Sequence, residues 1–357
     1  MIHLFFFLLI FCLKIIEKST DGSTLVSVKS ILGNGGTTFS SSAAASSAGL
    51  TPLGIWRSIS GDFYICDSAN NRVRLLSTNG IVTNFAGSSS TTFSGDSSTA
   101  TSAGLNPYHA LGNSNDRVYI SDTVNNRIRL VSTASIISTF AGTGSTGYTN
   151  SKATSSAFNK PRGIWLYNGY LYISDYDSCA VRKIELLTSD TSDAIGRTGV
   201  CGTSSVAAAS IDLVRIGRPS AVWADIYTGK IYVADTTNNQ VQVFEPSANL
   251  GTVRIFSSGF NGPLGVSGDR FGNISLIYVA DTGNNRIKEL DSSGVASVLV
   301  GDGTTAFAGN LVAGTSTGIG EPQFVYVDDQ TTSIVCYSDK NNNRLIQTYY
   351  SGKIALH

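Results

Sequence analysis

The sequence predicts an all-β fold, a single β-propeller of six four-stranded antiparallel blades. Three observations carry this. A polar string headed by Asp occurs six times along the 357 residues, a Pro precedes every copy, and alternating segments that end near Gly follow several of them. Four strand-like segments repeated at roughly 40–50 residues, with insertions, are the signature of a propeller. One all-β unit of this length is as reasonable as two domains.

The chain opens on a different texture. Leu4–Leu13 (LFFFLLIFCL) is a continuous apolar run closed by Lys14. It is too short for the roughly 20 residues of a membrane-spanning helix and suits the apolar region of a secretory signal peptide. A short signal anchor is the rival reading. Residues 1–22 are therefore set apart as leader, and 23–357 as the propeller. Next, Thr24–Leu32 (TLVSVKSIL) reads as an outer strand that could complete the sixth blade, so that both chain ends share it. Gly352–His357 (GKIALH) also resembles the start of an outer strand and competes for that place.

Within each repeat the inner strand follows a Pro: Pro52, Pro107, Pro161, Pro219, Pro263 and Pro322. Pro is tolerated at the first residue of a strand, where no ladder N–H is lost. The second strand ends at Asp67, Asp122, Asp175, Asp235, Asp281 or Asp339, spaced by 55, 53, 60, 46 and 58 residues. After Asp come strings such as "TVNNR" and "TGNNR", and the third strand starts beyond the Arg. "GIVTNFAG" from Gly80, "SIISTFAG" from Ser135 and "GVASVLVG" from Gly294 read as fourth strands by their alternation. Ser/Thr/Gly-rich insertions, Gly87–Pro107 and Gly142–Pro161, join one blade to the next. Blade four has only Ser257–Pro263, which explains the short spacing of 46.

The polar string invites a catalytic reading, but a catalytic site is needed once and this pattern recurs in every blade. It is turn chemistry. The Asp accepts N–H groups of the turn, and Asn71, Asn126, Asn239 and Asn285 tolerate left-handed geometry. The planar forks of Arg72, Arg127, Arg286 and Arg344 can reach a neighbouring carboxylate or carbonyl.

"Y-[IV]-[AS]-D-x-x-N-N-R-[IV]" following "P-x-G-[IV]" resembles the NHL-repeat family, from about Thr24 to the C-terminus. The resemblance implies a propeller, commonly six-bladed, and a protein- or RNA-binding role. Blade three departs from it, with Ser178, Cys179 and Ala180 in place of Asn-Asn-Arg. Lys+Arg and Asp+Glu are both 25. That balance, with no basic cluster, argues against nucleic acid as partner.

Four cysteines lie outside the leader. Cys179 and Cys201 flank a hairpin centred on Asp190, which would place them opposite each other, so a disulfide is expected if the chain is exported. Cys66 and Cys336 read as buried thiols. Asn273-Ile-Ser is a glycosylation acceptor in a loop.

Trp56, Trp165 and Trp223 share one repeat position, four after the Pro, and read first as inter-blade core, with an aromatic ligand mouth as the other reading. His109 stands two after its Pro, near the channel, and cannot build a zinc centre alone. The channel mouth is the candidate site, with His109, Arg57, Asp225 and Asp328. No metal site or cofactor is predicted, although inward-facing acids such as Asp225 and Asp328 leave calcium open, as in six-bladed lactonases. The expectation is an exported, monomeric, non-catalytic module for a protein or glycan ligand, docking on a face of the Ser/Thr/Gly-rich loops. The alternative is a calcium-dependent hydrolase or lyase working in the channel.

Overall fold

A computed structural model describes residues 26–38, 42–196, 199–202, 214–246, 251–269, 276–310, 312–328 and 334–350. The leader, Asn273, Asp329 and Gly352–His357 lie outside these residues. The described chain forms six antiparallel sheets. Adjacent sheets meet through their inner strands, which closes them into a six-bladed propeller. Inner strands run Pro52–Arg57, Pro107–Gly112, Pro161–Tyr167, Pro219–Ala224, Gly265–Gly268 and Pro322–Asp328. Five of the six begin at the expected Pro. In each of these five, Pro pairs with the Asp that ends the second strand, as Pro52 does with Asp67. All Asp turns therefore lie on one face of the disc, the turn face. The inner hairpins lie on the other, the hairpin face.

The ring closes with Val26–Leu32, which pairs antiparallel with Arg344–Tyr350 as the rim strand of blade six. Two sheets carry a fifth strand that the sequence does not announce. Ser42–Ala44 pairs with the rim strand of blade one, and Ser98–Thr99 with that of blade two. These Ser/Thr/Ala segments read as connectors because they lack apolar alternation. An edge strand needs only backbone groups to pair, and covering a rim in this way blunts a sticky edge.

The Asp turns are built alike. In each, the Asp carboxylate accepts an N–H from the residue one or two before the Pro, at 2.7–3.0 Å. In five blades it also accepts Nδ2 of the first Asn, as in Asn125 to Asp122 at 2.7 Å. The second Asn is left-handed, with φ of 51–56° at Asn71, Asn126, Asn239 and Asn285. Its side chain crosses to the next blade. Asn126 accepts the Lys160 N–H, and Asn285 accepts that of Glu321. The Arg that follows holds carbonyls rather than carboxylates. Arg72 reaches Asn70 O, Arg127 reaches Asn125 O and Thr143 O, Arg286 reaches Asp302 O, and Arg344 reaches Gly33 O.

The cation for the Asp comes from further along, seven residues after it. Arg74, Arg129 and Arg182, all buried, meet Asp67, Asp122 and Asp175 at 2.9, 3.4 and 3.2 Å. Lys288 does the same for Asp281 at 2.8 Å. Blade four has Gln242 there, and blade six has the apolar Ile346. Asp339 is thus buried with amide donors and no cation seven residues on, and burial pushes its carboxyl up to about 6. A folded-state value above the unfolded one means that its contribution to stability is fully present near pH 4 and is lost as pH rises through about 6. A carbon-detected titration should give Asp339 a midpoint near 6. A midpoint in the ordinary carboxylate range would refute this account.

In blade three the left-handed residue is Cys179, φ 55°, and it is bonded to Cys201. The pairing is as expected, but the geometry is not. The ladder pairs Arg182 with Asp193 and Ile184 with Thr191, so the hairpin is not centred on Asp190. Cys179 precedes the third strand, which starts at Ala180, and Cys201 lies beyond the rim strand's end at Ile195. The bulge after Val181 and the short hairpin shift the register, so the two sulfurs meet in a loop instead of across a ladder. Cys66 and Cys336 are buried thiols.

Candidate functional site

The channel is built by two levels of the inner strands. Two residues after each Pro stand Gly54, His109, Gly163, Ala221, Gly265 and Phe324. His109 is 1% exposed and packs on Phe324 across the axis, ring centroids 4.3 Å apart. Its Nδ1 accepts the Ile164 N–H at 3.2 Å. Burial pushes the imidazole down to about 3, so it is neutral at any physiological pH. A Cβ on Gly54 would stand 2.6 Å from the His109 Cα, and one on Gly265 would stand 2.9 Å from the Phe324 Cα. Only Gly admits such close backbones. The axis is therefore filled at this level.

Two residues further along, toward the hairpin face, the channel widens into a cavity of about 210 Å³. Its described walls are Trp56, Leu111, Trp165 and Tyr326, all four residues after their Pro, with Arg57, Leu166, Ser58, Asn113, Ser114 and Asp116 among the rim residues. Trp56 lies against Gly112 of blade two, as Trp223 lies against Gly268 of blade five. Trp223 is 1% exposed, within the core. Trp56 is half-buried and keeps one edge on the cavity. Trp56 thus packs between blades and borders the cavity with the same ring, whereas Trp223 lies wholly in the core.

Arg57 is held in place on several sides. Its Nε donates to Gly61 O at 3.1 Å, its guanidinium lies 5.4 Å from the Phe63 ring centre, and the Tyr326 hydroxyl donates to its carbonyl at 3.4 Å. Of the four expected mouth residues, Arg57 lines the cavity. His109 lies one level below. Asp225, 3% exposed, caps its own hairpin by accepting the Tyr227 N–H and the Thr228 hydroxyl, at 2.9 and 2.6 Å. Asp328 ends the inner strand of blade six, and its side chain lies outside the described set. Alignment on the Pro puts Leu111 and Tyr326 at the position that Trp holds in three other blades, whereas Asn113 and Asp116 belong to no repeat position that the sequence marks.

Among the described residues, no three His, Cys, Asp or Glu side chains converge to hold a metal ion. The mouth presents a guanidinium where calcium needs several oxygen ligands. The described residues of the mouth form no such set, and the Asp328 side chain and Asp329 lie outside the described residues. Among the described residues, no helix is long and apolar enough to cross a membrane.

No family model and no curated protein sequence matches the chain. Solved structures do. An auxiliary nutrient binding protein from Bacteroides thetaiotaomicron superposes with a TM-score of 0.65 at 12% identity, over 92% of this chain and 77% of that one. A gluconolactonase from Xanthomonas campestris gives 0.62 at 11%, over 94% of each chain. A virginiamycin B lyase from Staphylococcus aureus gives 0.50 at 12%, over 90% of this chain and 99% of that one. At these identities the likeness is one of fold, the six-bladed propeller.

Proposed function

We propose that the chain is an exported propeller of the NHL type that binds a glycan, without catalysis, in the mouth on its hairpin face. The observation that carries the reading is the cavity wall. Trp56, Leu111, Trp165 and Tyr326 from four blades meet there, with Arg57, Asn113 and Asp116 as polar neighbours. A concave apolar wall with a few placed polar groups is the usual form of a small-ligand site. Aromatic surfaces take the C–H faces of sugar rings, and rim amides and charges take the hydroxyls. The fold likeness to a nutrient binding protein, a gluconolactonase and a lyase is compatible with binding and with hydrolysis or elimination alike. The mouth, with its guanidinium and aromatic walls, favours binding. The Cys179–Cys201 bond suits an oxidising compartment, in keeping with an exported chain.

Titration of the whole protein with a panel of neutral and acidic oligosaccharides, followed by Trp emission, tests this. One class should shift the emission saturably, and Trp56→Ala should weaken it by about 30-fold, the scale of a binding hot spot. Affinities unchanged in both Trp56→Ala and Arg57→Ala would remove the mouth from consideration. Turnover of a lactone, lost in Arg57→Ala, would replace binding by hydrolysis.

A further inference from the structure

In a repeat protein, residues that occur once stand out against those the fold requires everywhere. Blade three carries such a set at its Asp turn. The residue after the Asp is Ser68, Thr123, Thr236, Thr282 or Lys340 in the other blades, and Tyr176 here. Three of those Thr hydroxyls donate to the next blade's Pro carbonyl, at 2.6–2.8 Å. Tyr176 instead carries a cation on its ring. The Arg162 guanidinium carbon lies 3.3 Å from the Tyr176 ring centre and 5.2 Å from that of Tyr108, and Arg218 lies 5.8 Å from Tyr176. Asp177 is already shared by Lys160 at 2.6 Å and Arg218 at 3.1 Å, and the neighbouring Asp175 is buried on Arg182.

Among the described residues Arg162 meets no carboxylate. Its Nη1 donates to the Ser220 hydroxyl at 3.2 Å, and its Nε, shielded from solvent, has no hydrogen-bond partner among them. Lys160, Arg162 and Arg218 stand one residue before or after Pro161 and Pro219, at the turn-face end of the channel. The filled level of His109 and Phe324 separates them from the aromatic mouth.

We propose that this cluster is an oxyanion site. A carboxylate, sulfate or phosphate group of a ligand would take the Arg162 fork, with Lys160 and Arg218 beside it. A guanidinium recognises such groups through paired hydrogen bonds. Stacking on Tyr176 and contact with Tyr108 fix its plane in advance, which lowers the cost of ordering it on binding. Among these three cations Lys160 and Arg218 share one carboxylate, Asp177, and Arg162 makes no ion pair among the described residues.

The test is thermal unfolding of the whole protein, disulfide intact, with chloride replaced by acetate, sulfate or phosphate. The ionic strength is held near 0.1 M, where charges beyond about 10 Å are screened. At least one oxyanion should raise Tm saturably by about 2 °C, and Arg162→Gln should abolish the rise. The general stabilisation by excluded sulfate does not saturate and survives the substitution. Arg162→Lys keeps the charge without the fork and should weaken binding several-fold. If Arg162→Gln fails to fold, Arg218→Gln serves in its place, with the same several-fold loss expected. Response to acetate alone points to a carboxylate ligand, and response to sulfate or phosphate points to a sulfo or phospho group. A rise shared equally with chloride, or unchanged in these variants, overturns the assignment.

Discussion

Asp122→Ala is expected to destabilise the propeller by about 3–5 kcal/mol, read as a lower urea midpoint at unchanged slope. The carboxylate is fully buried and collects the Asn106 N–H at 2.7 Å, Asn125 Nδ2 at 2.7 Å and Arg129 Nη1 at 3.4 Å. Without it, the half-buried Asn106 N–H loses its acceptor and Asn125 Nδ2 keeps only Thr91 O. Arg129, itself 0% exposed, keeps Ser94 O and the half-exposed Asp96. Breaking one side of a buried pair costs more than the pair contributes, because the remaining charge stays desolvated. Blade four supplies the control. There Gln242 faces Asp235 at 2.7 Å, so a neutral amide is accepted opposite the Asp in this fold. Asp122→Asn combined with Arg129→Gln should therefore be less damaging than Asp122→Ala alone, since no buried charge is left unpaired and Asp96, which loses Arg129, is half-exposed. A cost below about 1 kcal/mol for Asp122→Ala, the size of a surface substitution, would show that the turn is held by something else.

The legibility of this fold followed its periodicity. Blade number, the Pro–Asp pairing, the left-handed Asn and the closing strand at Val26–Leu32 all rest on features that recur, and recurrence cancels local ambiguity. The buried cations at Arg74, Arg129 and Arg182 were equally periodic, seven after each Asp, yet they sit inside a strand whose alternation reads as ordinary sheet. The spacing alone does not say that the long side chain folds back under the turn. The rim strands at Ser42–Ala44 and Ser98–Thr99 had no signal, because backbone pairing at an edge asks nothing of the side chains. The site was harder for a related reason. Residues four after the Pro serve the core and the mouth with the same ring, as Trp56 does, and sequence sees only the apolar character. The spacing put His109 in the channel, but its level along the axis depends on how six strands stack. Here that level is the plug.

Removing the disulfide as Cys179→Ser with Cys201→Ser should cost about 3 kcal/mol, the loop-closure value for a bridge of this span. The deeper claim concerns what the bond replaces. In the other blades the left-handed residue is Asn, whose amide reaches the loop that follows and the strand after it, as Asn126 does with Gly144 O and the Lys160 N–H. Cys179 holds the same backbone conformation and reaches Cys201, in the loop that follows its own blade. The covalent bond and the amide bridge thus do the same work at the same place. Cys179→Asn with Cys201→Ala should then be more stable than the double Ser variant by about 1 kcal/mol, through one recovered hydrogen bond and Asn's tolerance of positive φ. Equal stability of the two double variants would mean that the bond only shortens the unfolded chain. A gain for the Asn variant would mean that blade three still carries the contacts of the repeat it departed from.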